Sequence, residues 1–168
     1  MKFLILALCI TAAVADYHPL TSSEVATIKS TWDAVKTHEV DILYAIFKEH
    51  PDIQAKFSQF AGKDLDSLKG STDFAIHATR IVSFISNYVL LVGDEHNVPG
   101  IKTVVNKMGQ NHKARGVTKD QFNEFKNTFM NYMKGHVDFN GDVEHAWTDA
   151  FDNLYFIIFS NLDGHPVA

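Results

Sequence analysis

Residues 71–91 read STDFAIHATRIVSFISNYVLL, and this stretch decides the fold of the chain. Its large apolar side chains recur at spacings of three and four residues, which is the repeat of one face of an α-helix. A histidine occupies one position of that apolar row. The spacing predicts an amphipathic helix with an imidazole on its inner face, and the row consists of Phe74, His77, Ile81, Phe84 and Tyr88.

A second apolar row follows, and it also ends on a histidine. Residues 93–100, between the two rows, are rich in Gly, Asp, Asn and Pro, which are typical of a loop. We expect this polar loop to be an excursion on the surface. Gly116 ends the second row in the manner of a helix C-cap. The members of that row are Ile101, Val104 or Val105, Met108 and His112.

Outside these two rows, the sequence contains clear signals for helix starts. Thr21 with Glu24, and Thr118 with Gln121, have the spacing of a capping box, in which two side chains satisfy backbone N–H groups at a helix start. Apolar residues at helical spacing follow both of them. The last helix is expected to begin at about Gly141.

The breaks between helices are equally visible in the sequence. Pro51 makes its neighbour His50 unlikely to stay helical, and residues 61–70 form a polar connection bounded by glycine. No alternating run is long enough to predict a strand. The mature chain is therefore predicted to be a single all-α domain of about six to eight helices.

The first fifteen residues have the features of a cleaved signal peptide. A positively charged start precedes the apolar run 3–10, and Ala-Val-Ala at 13–15 is the small-x-small pattern before a cleavage site. The alternative is a buried N-terminal helix, but the run carries no polar face and is too short to span a bilayer. We predict a signal peptide at 1–15, a domain at 16–168 and a secreted protein.

Composition excludes several partners. The only cysteine, Cys9, lies in the predicted signal peptide, so the mature domain has no disulfide and depends on its core. Acidic residues number 20 against 15 lysines and arginines. Such an acidic chain is a poor partner for nucleic acid or for an anionic membrane surface.

Two histidines on separate apolar helices indicate a flat apolar cofactor. A single histidine in an apolar row is more often a core residue, but His77 and His112 both lie among large apolar side chains. Haem needs an imidazole on its iron and an apolar pocket around its ring. Zinc fits less well, because the chain has no cluster of His, Cys or Asp at the spacing of a zinc site.

Four segments, taken together, resemble a known family. They are Leu20–Thr21 with Trp32, then His50–Pro51 followed by FSQFAGKDL at 57–65, then FAIHATRIV at 74–82, and NHKARGVT at 111–118. In this order and spacing they resemble the globin family, over essentially all of the mature chain. Within that family the chain looks most similar to the secreted extracellular haemoglobins of midge larvae.

The resemblance implies a globin fold around haem b and assigns a role to individual residues. His112 corresponds to the proximal iron ligand, whose other ring nitrogen a backbone or hydroxyl acceptor would hold, and His77 corresponds to the distal histidine. Phe57 would pack flat on the haem, with Phe60 behind it as a second haem contact or a core residue. The other implied contacts are Arg80 to a propionate, Ile81 on the ligand side, and Val117, Phe122 and Phe125 around the porphyrin.

The implied function is reversible binding of dioxygen, and of carbon monoxide, for transport or storage in haemolymph. His77 would stabilise dioxygen through a hydrogen bond, without catalysis. The alternatives are a haem enzyme, either peroxidase-like or consuming nitric oxide, and a helical carrier of hydrophobic ligands. A monomer and a homodimer are both compatible with the sequence. The seven other histidines are expected to be surface or loop residues and not iron ligands.

The chain departs from the usual globin pattern in two places. The two histidines are 35 residues apart, and the excess over similar globins lies in residues 92–100. Lys113-Ala114-Arg115 stands where a proline is expected, so the second helix should run slightly past His112.

The signal peptide yields the first testable prediction. If it is cleaved after Ala15, the native protein begins at Asp16 and lacks cysteine. Intact-mass and N-terminal peptide analysis of protein purified from its natural fluid checks this. Native material that begins at Met1 would contradict the prediction.

Overall fold

The computed structural model describes residues 17–168, so the predicted signal peptide lies outside the described residues. This part of the chain forms eight α-helices and no strand, which confirms the predicted all-α architecture. A single turn of 3-10 helix, Glu95–Asn97, precedes the sixth helix. The helices are α1 (Ser22–Val35), α2 (Glu39–Glu49), α3 (Pro51–Ala55), α4 (Leu65–Lys69), α5 (Thr72–Leu91), α6 (Val98–Ala114), α7 (Lys119–Lys134) and α8 (Gly141–Asp163).

An aromatic cluster at the centre of the domain joins α1, α7 and α8. The ring of Trp32 lies 6.1 Å from that of Phe129 and 6.2 Å from that of Trp147, and all three side chains are buried. Trp32 Nε1 donates to Ser86 Oγ at 3.0 Å, and Trp147 Nε1 donates to Thr31 Oγ1 at 2.9 Å. Because both indole N–H groups have hydrogen-bond partners, burying them does not carry the free-energy cost of an unpaired polar group. The two bonds hold α1 against α5 and α8.

The two helices that carry His77 and His112 pack on other helices far more than on each other. Helix α5 packs on α1 and α2, and α6 packs on α8, whereas α5 and α6 barely meet. Tyr88 also ties α5 to α8, because its hydroxyl donates to the carbonyl of Ala150 at 2.9 Å. A cleft therefore remains between α5 and α6.

Helix α5 is apolar on two faces, although the sequence predicted only one apolar row. Of that row, His77, Ile81 and Phe84 are only half-buried and lie on the side of the cleft. His77 is half-buried, whereas its neighbour Ile76 is 46% exposed, which agrees with the predicted register. The face packed in the core consists of Phe74, Ala78, Val82, Ile85 and Val89.

The doubly apolar character of α5 also explains its hydropathy. Among the helices in residues 17–168, α5 alone is long and apolar enough to cross a membrane, with a window of mean hydropathy 1.3. A core helix of a globular protein meets the same criterion. Helix α5 packs on α1 and α2, as a core helix of a globular protein does.

The predicted helix starts and ends are confirmed. Both side chains of the capping boxes at Thr21 and Thr118 make their backbone hydrogen bonds. His50 leaves the helical conformation, and Pro51 begins α3. Gly116 has a φ of +67°, the left-handed conformation that glycine adopts without strain. Helix α6 continues past His112 to Ala114, as the missing proline predicted.

The polar connection predicted at 61–70 contains a helix, so that prediction was incomplete. The Asp64 carboxylate accepts a hydrogen bond from the backbone N–H of Ser67 at 2.9 Å and so caps α4. Leu68 is buried and anchors the helix in the core. Capping and one apolar contact are enough to order a single helical turn here.

The predicted loop at 93–100 is shorter than expected, because helix α6 begins at Val98. Its surface position is confirmed, since residues 93–96 are exposed. Val92, just before it, is buried, and a Cβ added to Gly93 would lie 2.7 Å from a methyl carbon of Val25. The backbone of the connection therefore packs closely on α1 at its start.

Gly109 sets the closest approach of α6 to α8. It lies three residues before His112 and is buried. A Cβ at this position would lie 2.9 Å from Cβ of Asn161, closer than real Cβ atoms come to each other. Asn161 has little freedom to move, since its amide donates to the side-chain oxygen of Asn106 at 2.7 Å and to the carbonyl of Ile157 at 2.8 Å.

We expect Gly109→Ala to destabilise the protein. Overpacking costs about 1–3 kcal/mol, which should exceed the gain of about 1 kcal/mol in helix propensity. Gly100→Ala is the matched control, because Gly100 lies in the same helix with nothing near its Cβ position. That variant should be stabilised by roughly 0.5–1 kcal/mol. Urea unfolding measures both, and a Gly109→Ala protein as stable as the parent would contradict the packing argument.

Candidate functional site

His112 is held in one orientation by the backbone of its own helix. Its Nδ1 atom lies 2.9 Å from the carbonyl oxygen of Met108, one turn earlier in α6. A carbonyl only accepts, so Nδ1 carries the proton and Nε2 keeps its lone pair. Nε2 has no hydrogen-bond partner within residues 17–168. The ring of Phe122 lies 5.3 Å away on α7 and limits rotation of the imidazole.

His77 faces the same cleft from α5. Its ring packs against the edge of Phe57 with centroids 4.5 Å apart, and against Phe60 at 6.0 Å. Neither ring nitrogen of His77 hydrogen-bonds to another described residue. The imidazole is therefore held by aromatic packing, while its polar atoms remain available to a ligand.

We call the space between these imidazoles the His77–His112 cleft. Large apolar side chains on or beside the segments that carry the two histidines pack against the hydrophobic core cluster and yet are only half-buried. Half-burial of so many large apolar groups leaves a surface that favours an apolar ligand. These side chains are Phe57, Ile81, Phe84, Met108 and Val117.

A separate cavity extends the apolar space between α5 and α6, beyond the histidines. Its volume is about 170 Å³, and Phe84, Leu91, Ile101 and Val105 contribute to its walls. Val104 and Val105 both border this cavity, but Val105 is 2% exposed and Val104 is 48% exposed. Of the two alternatives that the sequence left open, Val105 is therefore the buried member of the second apolar row.

Burial keeps both imidazoles neutral. Burial is the main cause that lowers the pKa of His77 below its ordinary value, and the positive charges of Arg80, His112 and Arg115 lower it further. Burial also lowers the pKa of His112, Arg115 adds to this, and the hydrogen bond to the Met108 carbonyl opposes it in part. Neutral imidazole is the form that binds a metal.

The electrostatic effects also place the two arginines near the cleft. Arg80 is exposed, yet its charge acts on His77, as expected for a residue at the rim. Arg115 acts on both histidines, and sequence reasoning did not identify it. Its position in a helix C-cap, three residues after His112, is a signal that could have drawn attention to it.

The turn after α6 is tied to the opposite wall of the cleft. The ammonium group of Lys56 donates to the carbonyl of Gly116 at 2.7 Å. The backbone N–H of Val117 donates to the carbonyl of His112 at 3.1 Å. These bonds connect the segment before Phe57 with the segment after His112. Lys56 was not predicted, because only the folded chain brings it to Gly116.

The remaining predicted residues divide between the cleft and the core. Phe122 is buried against His112 and lies 5.7 Å from the ring of Tyr155. Phe60 is fully buried, so of its two predicted roles the core role is the one supported. Phe125 is half-buried, and its ring is parallel to that of Phe129 at 6.3 Å. Its nearest aromatic partners are therefore core residues.

Known proteins share this arrangement of helices. The family model described as Globin matches residues 40–158, which is more than half of the chain. The chain belongs to the globin family. Among its relatives, globin CTT-VI of Chironomus thummi thummi is 53% identical over 163 residues, covering 97% of this chain and 99% of that protein. Globin CTT-Z of Chironomus thummi piger is 54% identical over 160 residues, covering 95% of this globin and 97% of that one.

A solved structure agrees with the assignment. A hemoglobin component, TA-VII, from Tokunagayusurika akamusi superposes with a TM-score of 0.86 at 43% sequence identity. The alignment covers 88% of this globin and 99% of that chain. Both the predicted globin fold and the predicted resemblance to midge haemoglobins are thus confirmed.

The residues of this chain fit the cofactor of the family, haem. A haem is a flat apolar disc with a central iron and two acidic groups at one edge. The cleft offers a free imidazole nitrogen on His112, apolar walls, and two arginines near its rim. Each part of the cofactor therefore has a chemically matching group in the cleft.

Proposed function

We propose that this globin is a secreted haem b protein that binds dioxygen reversibly, for transport or storage in haemolymph. The observation that carries the proposal is the pair of half-buried imidazoles, His77 on α5 and His112 on α6, which lie near enough for His112 to be among the causes that lower the pKa of His77. Each has a ring nitrogen with no hydrogen-bond partner among the described residues. One wall supplies a metal ligand and the other supplies a hydrogen-bond donor. Carbon monoxide and similar diatomic molecules would bind at the same place.

His112 is proposed as the iron ligand. Its Nε2 atom carries the lone pair and is free, while the Met108 carbonyl fixes the ring from behind. A hydrogen bond from the ring nitrogen that does not bind the metal orients a metal-binding histidine and increases its basicity. Phe122 supports the same ring from α7.

His77 is proposed as the residue that stabilises dioxygen. When bound, haem supplies the ferrous iron that holds dioxygen reversibly and draws partial negative charge onto it. An N–H of His77 stabilises that charge by donating a hydrogen bond. Contact with Phe57 and Phe60 holds the imidazole in place. The apolar wall around it excludes water and free protons, which would otherwise promote oxidation to the ferric state.

The other predicted residues are proposed to position the cofactor. Phe57, which contacts His77, would pack on the haem face, and Ile81 would narrow the ligand side one turn along α5. Arg80 is exposed and would pair with a propionate. Val117, Phe122 and Phe125 are proposed to contact the porphyrin beyond His112, and Val117 and Phe125 are only half-buried in the chain alone.

We also propose that the protein acts as a carrier and not as a haem enzyme. A peroxidase needs a strong acid and base beside its ligand. Arg80 is exposed, and neutral His77 has only aromatic ring contacts to Phe57 and Phe60. The signal-like segment 1–15 supports secretion of the domain 16–168.

Loss of the iron ligand should be visible in the spectrum. We expect His112→Ala to lose haem readily, or to bind it with a changed Soret band, because the variant lacks Nε2, which has a lone pair and no hydrogen-bond partner within residues 17–168. Added imidazole should restore a normal spectrum by occupying the space of the missing ring. His145→Ala, at an exposed site, is the control and should keep its haem. A His112→Ala protein with an unchanged ferrous oxygen spectrum would refute the assignment.

His77→Val should release dioxygen faster by about ten- to a hundredfold, because a hydrogen bond to a charged acceptor contributes roughly 1.5–3 kcal/mol. Carbon monoxide, which carries less charge when bound, should be affected much less. Stopped-flow dissociation measures both rates. Ile76→Val is the control, since Ile76 is 46% exposed and points away from the cleft. A strong effect of that control, with none from His77→Val, would mean that the ligand lies elsewhere.

A further inference from the structure

A second group of potential metal ligands lies between the α2–α3 corner and α7. A nitrogen of His50 and carboxylate oxygens of Asp52 and Glu124 lie within 4.8 Å of one another. The sequence predicted His50 as a surface or loop residue, and it lies in the break between α2 and α3, where it is half-buried. None of the three residues belongs to the His77–His112 cleft.

The hydrogen bonds around His50 determine which of its nitrogens carries the proton. Thr128 Oγ1 donates its only proton to Glu49 Oε2 at 2.6 Å. The same oxygen lies 3.1 Å from Nε2 of His50, and it can only accept there. The proton of the neutral ring is therefore on Nε2, and Nδ1 presents a lone pair.

The lone pair on Nδ1 of His50 faces a carboxylate oxygen of Glu124, which is also a hydrogen-bond acceptor. Glu124 Oε2 lies 3.7 Å from Nδ1, and although this oxygen is buried it has no hydrogen-bond partner among the described residues. The separation exceeds hydrogen-bond distance, so moving the proton to Nδ1 would not satisfy the pair. A buried carboxylate oxygen without a donor is costly and requires an explanation.

We propose that His50, Asp52 and Glu124 bind a zinc ion. Zinc takes nitrogen and oxygen ligands at about 2.0–2.2 Å in a tetrahedron, which places neighbouring ligand atoms about 3.4 Å apart. The observed 3.7 Å between Nδ1 and Oε2 is close to that separation. Two carboxylates and one neutral imidazole balance the charge of the ion, and water completes the tetrahedron.

The surroundings already orient these ligands. Gln121 Nε2 donates to Asp52 Oδ2 at 2.7 Å, and the Thr128 hydroxyl holds His50. Such outer hydrogen bonds fix the direction of a ligand before the metal arrives. Because His50 and Asp52 lie at the α2–α3 corner and Glu124 lies on α7, a bound ion would tie these elements together.

Another group of three, Glu24, His145 and Asp149, provides a matched comparison. Its ligand atoms also lie within 4.8 Å of one another. However, Glu24 is already used in the capping box with Thr21, and His145 is exposed. This second group should not compete for zinc.

Isothermal titration with zinc chloride tests the proposal on the mature, untagged, haem-loaded protein in its carbon monoxide form. We expect one zinc per chain and a higher unfolding temperature with zinc. Glu124→Gln and Asp52→Asn should each weaken binding at least about tenfold, since even outer-shell changes weaken metal sites by about that factor. His145→Gln should bind as the parent does. X-ray absorption at the zinc edge should show one imidazole among oxygen ligands.

Four results would overturn the proposal. The first three come from the titrations: the parent shows no saturable zinc binding, Asp52→Asn binds zinc as tightly as the parent, or His145→Gln loses zinc binding. Asp52 is exposed, so its variant should fold even if Glu124→Gln does not. Complete displacement of zinc by magnesium at equal concentration would also overturn it, because magnesium prefers oxygen ligands alone.

Discussion

The structure depends on keeping two apolar helices apart. Helices α5 and α6 each carry apolar side chains on the side that faces the other, and contact between them would close the cleft. Their other partners prevent this, because α8 holds α6 while α1 and α2 hold α5. The domain thereby leaves large side chains such as Phe57 and Phe84 half-buried. Burial of apolar surface contributes about 25 cal/mol per Å², so the cofactor completes the core and stabilises the fold that binds it.

Much of this fold could be predicted, because its signals are local. Capping boxes at Thr21 and Thr118, the break before Pro51 and the end at Gly116 each depend on a few neighbouring residues. Helical spacing predicts that His112 lies on an apolar face, and the resemblance to globins implies a backbone or hydroxyl acceptor for its other ring nitrogen. The structure supplies that acceptor one turn back, at Met108.

Other features could not be predicted, because they depend on contacts distant in sequence. The spacing of α5 shows one apolar row, and only packing reveals a second face that includes Val82 and Ile85. Lys56 reaches Gly116, and His50 reaches Thr128 on α7, across long stretches of chain. Helical spacing also did not distinguish Val105 from Val104 as the buried residue of the second row. Each of these features depends on a neighbouring helix, and residues close in sequence do not reveal it.

Burial of His77 and His112 limits their contact with water and thereby changes their pKa values. It removes water from the surroundings of His77 and His112, which lowers the pKa of both imidazoles. A protonated His112 could not bind iron, and a charged His77 would bring a mobile proton next to the ligand. The positive charges of Arg80 and Arg115 act in the same direction while they remain available to acidic groups at the rim. Apolar walls and rim arginines therefore favour the same state, a neutral and dry pair of imidazoles.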